Sequence, residues 1–170
     1  MNKYLFFIIL ISLLLQSCDK EPSPKKEIGN KITQLYASSE TIYDQEPDTT
    51  LFTSEIMVLI ENARKITAGD QERIKNSPSP TDKPLILEGN IFCSFYEGYT
   101  KYTIKDISII DTTAKVIIDF EYDSKQKETW TDTIVLKKDQ NWKIDNILYS
   151  KKYTTYKDLK EILDFKNKSS

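Results

Sequence analysis

The chain predicts an α+β fold with two N-terminal helices and a C-terminal helix packed on a curved antiparallel sheet of about four strands. Apolar residues recur at helical spacing through residues 28–44 and again after Thr53. A Ser/Pro-rich break then spans residues 77–84, and β-branched, aromatic runs joined by short turns follow it. Helical periodicity first and strand alternation second place the helices on one face of an antiparallel sheet, which must twist to wrap them.

Met1-Asn2-Lys3 gives a short positive start, residues 4–15 are almost unbroken apolar, and Leu15-Gln16-Ser17-Cys18 closes the run. That is the layout of a secretory signal. The run is too short to cross a bilayer, which takes about 20 apolar residues. It also lacks the polar face of a core helix until Ser12. The closing tetrad resembles a bacterial lipobox, which implies cleavage before Cys18 and acylation of that residue. Residues 1–17 therefore read as lipoprotein signal peptide, 18–27 as lipidated tether, 28–165 as a single domain and 166–170 as a tail. One acyl chain anchors only marginally and two signals anchor stably; the resemblance implies three, of palmitate type. Cys18-Asp19-Lys20-Glu21 also resembles the lysine-plus-acid tag that sends lipoproteins to the outer cell surface in some Gram-negative bacteria. In others, an Asp directly after the lipidated Cys retains the protein at the inner membrane. A surface-exposed place on the outer membrane is the expectation.

Within the domain, Ile28, Ile32, Leu35, Tyr36, Ile42 and Tyr43 carry the first helical stripe. Pro47 stops it, because proline disfavours helix in the residue before it. Thr53 or Ser54 can cap a second helix whose stripe is Ile56, Met57, Leu59, Ile60 and Ala63, with Gly69 its expected end. Strands are expected at residues 102–110, 114–122, 129–136 and 141–149, with short Asp- and Ser-bearing joints that force antiparallel neighbours. A further extended segment, residues 85–95, could join the sheet edge. Leu159, Ile162, Leu163 and Phe165 mark one side of a last amphipathic helix over residues 156–165.

Composition excludes several classes of activity. The 170 residues contain no histidine, the usual general base and the commonest zinc ligand. A formal net charge of -2 offers no general attraction to nucleic acid. With Cys18 given to lipid, Cys93 is left alone, so no intramolecular disulfide forms. In Ile91-Phe92-Cys93-Ser94-Phe95 it reads as a small buried hydrophobe, the alternative being a reactive thiol. Residues 40–61 hold Glu40, Asp44, Glu46, Asp48, Glu55 and Glu61 without a base, while lysines crowd the C-terminal stretch. These are two solvated faces of opposite sign, or an acidic surface that steers a basic partner. Asp44-Gln45-Glu46-Pro47-Asp48 lacks the glycine and terminal Glu of a calcium loop. Trp130 and Trp142 read as core. The cluster of Phe92, Phe95, Tyr96, Tyr99 and Tyr102 either closes the core or forms a binding patch.

The Tyr-bearing first helix, the short second helix, Gly89-Asn90-Ile91-Phe92 and the strand Asn141-Trp142-Lys143-Ile144-Asp145-Asn146-Ile147 together resemble a bacterial domain of unknown function. That family has the nuclear transport factor 2-like (cystatin-like) fold and includes envelope lipoproteins and an immunity protein that neutralises a type VI secretion amidase. The resemblance spans residues 28–165 and carries no functional residue onto this chain. Together with the lipobox and the absence of histidine and of a metal motif, the expectation is a membrane-anchored, non-catalytic binding module without cofactor or metal, held to the membrane through lipid at Cys18 and binding a protein partner, in one version an immunity-type inhibitor. A structural or assembly factor of the envelope is the alternative. A pocket enzyme of ketosteroid isomerase type is the second, for which Tyr36, Tyr43, Asp119 and Asp132 are the groups at hand.

Overall fold

In the computed structural model, residues 22–37, 41–43 and 46–164 are described; Cys18, Glu40 and Asp44 lie outside them. Helix α1 is Pro24–Ala37. It starts earlier than the periodicity of the apolar residues announces, inside the stretch expected to be tether. The reason is local: proline suits the first helical position, where its missing N–H would have had no partner. Ser23 sits before it as a cap, its Oγ accepting from Lys26 N at 3.4 Å. The helix ends at Ala37, well short of residue 44, and buries Ile28, Ile32 and Leu35. Helix α2, Ser54–Lys75, runs straight through Gly69 and buries Ile56, Ile60, Ala63, Thr67 and Ile74. No helix among the described residues is long and apolar enough to cross a membrane.

Four strands follow: β1 Lys101–Ile110, β2 Thr113–Tyr122, β3 Glu128–Lys138 and β4 Trp142–Leu148. They form one antiparallel sheet in chain order. Ala114, Val116, Ile118 and Phe120 of β2 and Trp130, Ile134 and Leu136 of β3 point inward and are buried. Alternate residues of β2 thus face the core, as the pleat of a half-buried strand requires. The helices lie against β4. Residues 51–53 also lie along its free edge, where Thr53 N donates to Ile144 O at 2.9 Å and Ile144 N to Leu51 O at 2.8 Å. Helix α3, Leu159–Leu163, is a single turn, held by Asp158, whose Oδ1 accepts from Glu161 N at 2.9 Å.

Residues 85–95 form no strand. They cross the inner side as an irregular chain whose backbone groups find side-chain and turn partners. Asn90 N donates to Tyr96 O at 3.0 Å, Phe92 N to Asn90 Oδ1 at 2.8 Å and Leu87 N to the Tyr43 hydroxyl at 3.0 Å. The two tryptophans are buried as expected, with Trp130 stacked on Phe120 at 5.3 Å between ring centroids.

Candidate functional site

A cleft of about 350 Å³ opens between α1, residues 41–42 and 46–52, and α2. Its floor is Ile42, Leu51, Phe52, Ile60 and Phe92, all buried. Phe52 and Phe92 lie nearly parallel, 5.9 Å apart. Its rim is polar and acidic: Gln34, Thr41, Glu46 and Asp48. The rim is shaped by turn chemistry. Asp48 Oδ1 accepts from Thr50 N and Thr50 Oγ1, both at 2.7 Å, an Asx turn that reverses the chain after Pro47. Its other oxygen takes Gln34 Nε2 at 2.5 Å, tying the turn to α1. These hydrogen bonds, from Thr50 first, hold the Asp48 carboxyl below its ordinary value, so the rim keeps its negative charge. Glu46 meets the Arg64 guanidinium through two bonds of 2.6 and 2.7 Å, which lowers its carboxyl likewise. Among the described residues no lysine or arginine lines the cleft itself, Arg64 reaching its rim only through Glu46. Chemically it can take an apolar side chain on the floor and a hydrogen-bond donor or cation at the rim.

The acidic stretch of the sequence is not a uniform acidic surface. Glu46 pairs with Arg64, Glu55 with Lys160 at 2.8 Å and Glu61 with Lys65 at 3.3 Å. The folded chain interleaves the bases with the acids, which a linear count cannot see.

The groups considered for isomerase-type chemistry do not converge. Asp119 and Asp132 stand on neighbouring strands but on opposite faces of the sheet. Asp119 is on the outer face, bonded by Thr131 Oγ1 at 2.6 Å and paired with Lys105 at 3.3 Å. Asp132 is buried on the inner face, 1 % exposed. Four donors converge on its carboxylate: Ser94 N at 2.8 Å, Ser94 Oγ at 2.7 Å, Ser150 N at 2.8 Å and Trp130 Nε1 at 3.2 Å. Burial nevertheless raises its pKa above the ordinary value. The Tyr36 hydroxyl donates to Phe92 O at 3.3 Å and Tyr43 shares a bond of 3.1 Å with Thr67 Oγ1. Burial, and next the Asp132 charge, pushes the Tyr36 and Tyr149 hydroxyls well above their ordinary range.

Cys93 is buried, its Sγ 3.3 Å from Phe95 O, in keeping with a small core residue. The aromatic cluster closes the core. Phe92 is buried, Phe95 packs on Tyr122, Trp130 and Tyr153, and Tyr99 and Tyr102 enclose Tyr36; Tyr96 alone of the five is exposed. Among the described residues no group of acids and cysteine is placed to hold a metal ion. The cleft is not legible along the sequence, because its walls come from four distant segments. The turn residues Pro47-Asp48-Thr49-Thr50 were its one local signal. No family model, curated protein or solved structure matches the chain.

Proposed function

We propose that this protein is a lipid-anchored binding module of the cell envelope, non-catalytic, of the nuclear transport factor 2-like kind, whose cleft receives a protein partner. The observation that carries this reading is the cleft: an apolar floor beside a rim on which Asp48 stays ionised, while Glu46 is paired with Arg64. It suits a segment that presents an apolar side chain next to a lysine or arginine. A pocket of this size is within the range of specific ligand sites, about 300–1,000 Å³. The buried carboxylate and tyrosines lie among structural donors and acceptors rather than at the cleft. That favours binding over turnover, and the Leu15–Cys18 tetrad supports the anchor.

A photo-crosslinking residue at Ala37, on the cleft wall, tests the reading in the full chain expressed in its envelope. It should capture a partner peptide that carries an apolar residue beside a base, and Asp48→Lys should lower the yield at least tenfold. The same probe at Ser108, on the far face of the sheet, should not capture it. Native mass spectrometry that finds a small amine in the cleft instead would replace the protein partner with a small ligand. An Ala37 probe that captures nothing, or captures equally in Asp48→Lys, would remove the cleft from the function.

A further inference from the structure

Strand β1 is an open sheet edge. Among the described residues it pairs with β2 alone, whereas the opposite edge, β4, is covered by residues 51–53 and by Lys157, whose carbonyl accepts from Tyr149 N at 3.0 Å. An unpaired strand of this length is a template for another strand. The side chains along this edge are symmetric about its middle. Lys105 is the extra residue of a bulge between Ile104 and Asp106. In an uninterrupted strand, residues three apart point to opposite faces. The bulge shifts that parity, so Ile104 and Ile107 share the inner face, flanked by Tyr102 and Ile109. These four are half-buried and pack against the core, Tyr102 beneath Tyr36 of α1. Thr103, Lys105, Asp106, Ser108 and Ile110 are exposed, Ile110 to 74 %.

We propose that β1 pairs antiparallel with β1 of a second copy of this chain, about a two-fold axis between Lys105 and Asp106. In that register each Lys105 faces Asp106 of the other copy. Ile104 stands opposite Ile107, Tyr102 opposite Ile109 and Thr103 opposite Ser108, so every pair joins residues of the same face. The occupant is a second copy because this symmetry sets inner face against inner face along the whole strand and Lys105 against Asp106. Asp106 has no ion pair within the chain among the described residues, while Lys105 meets Asp119 of its own chain at 3.3 Å; the two-fold brings each Asp106 to the Lys105 of the other copy. Edge lysines and bulges guard strands against arbitrary partners. Here the bulge sets the parity, and Lys105, already beside its own Asp119, also faces the second copy's Asp106, so the same features admit one specific partner. The inference is independent of the cleft and of what the cleft binds.

The test is disulfide trapping in the full-length chain. Residues directly opposite in an antiparallel pair are about 4.5–5.5 Å apart at Cα, inside the window of about 4.4–6.8 Å for a disulfide. Thr103→Cys and Ser108→Cys chains with different tags, expressed together in an oxidising envelope, should form a mixed disulfide. Neither should form one when expressed alone, since each residue is opposite the other position. Lys105→Asp should reduce the trapped species at least fivefold, and adding Asp106→Lys to it should restore trapping. Wild-type chain in detergent should have the protein mass of two copies by light scattering, which guards against a misfolded cysteine variant. A monomeric wild type, absence of the mixed disulfide in folded variants, or trapping indifferent to the charge reversal would overturn the proposal.

Discussion

At Asp132, β3 turns a carboxylate inward among aromatic rings, and donors from β3, residue 94 and residue 150 meet on it. It ties the irregular segment and the chain after β4 to the sheet. Asp132→Ala strips the partners from Ser94 N, Ser150 N and Trp130 Nε1, and each buried orphan costs about 1–3 kcal/mol. A loss on the order of 3–5 kcal/mol is expected in urea unfolding. A loss under about 1 kcal/mol would mean that water or another acceptor takes over. Two acids of the sheet also predict opposite pH behaviour. Burial raises the pKa of Asp132, so the folded state holds its proton more tightly, and this group subtracts stability as pH rises through its folded pKa. Burial pushes Asp145 up as well, but hydrogen bonds from Lys137 and Lys160, at 2.9 and 3.2 Å, hold it below its ordinary value. Its contribution is therefore present above about pH 4 and lost as pH falls through its folded pKa. Asp145→Asn should be less stable than wild type at neutral pH and converge with it in acid. Denaturation midpoints at a series of pH values check this, and parallel curves would contradict it.

Among the elements, two glycines predict opposite signs. Gly69 lies inside α2, where an added Cβ would meet nothing within 4 Å. Gly69→Ala should stabilise the protein by about 0.5–1 kcal/mol. Gly89 has φ 73°, and a Cβ there would lie 2.6 Å from the Tyr96 ring and 2.7 Å from its carbonyl oxygen. Gly89→Ala should destabilise by about 1–3 kcal/mol, and thermal unfolding of both variants distinguishes the signs. The contrast explains what the sequence makes legible. The four strands were readable because alternation and short turns are local properties, and their observed bounds differ little from those expected. Gly69 misled because a glycine reads as a helix end whether or not packing continues the helix. Ser23-Pro24 misled because a helix start and a proline-rich tether share their residues. Residues 85–95 are apolar enough for a strand, yet the Asn90 side chain, the Tyr96 carbonyl and the Tyr43 hydroxyl supply their backbone with other partners. Asp145 reaches its lysines through a bulge, which period-two patterning does not register.

For the whole molecule, the start of α1 limits how the domain can sit on a membrane. Cys18 precedes Pro24 by six residues, a reach of at most about 20 Å. That start lies beside the β3–β4 turn, because Glu27 Oε1 accepts from Trp142 N at 3.1 Å. From there α1 runs along the sheet to Tyr36, which packs on Phe120 and Tyr102 near the other end. The proposed two-fold stands perpendicular to the sheet and sends the two α1 starts to opposite ends of the strands, about 33 Å apart along ten residues. Both proposed anchors then reach one bilayer only when the joined sheet lies along it. A lone copy has no such constraint and can stand on the end that carries its anchor. Fluorophores placed through Gln140→Cys, at the anchored end, and Lys125→Cys, in the opposite β2–β3 turn, report the difference to a headgroup quencher. The paired wild-type background should quench both to a similar degree. In Lys105→Asp, which breaks the pairing, Gln140 should be quenched several times more than Lys125. Cys18→Ser should incorporate no labelled fatty acid, which ties the quenching to the lipid. Unequal quenching in the wild-type background would contradict a flat-lying pair, and labelled fatty acid on Cys18→Ser would remove the anchor from which the geometry starts.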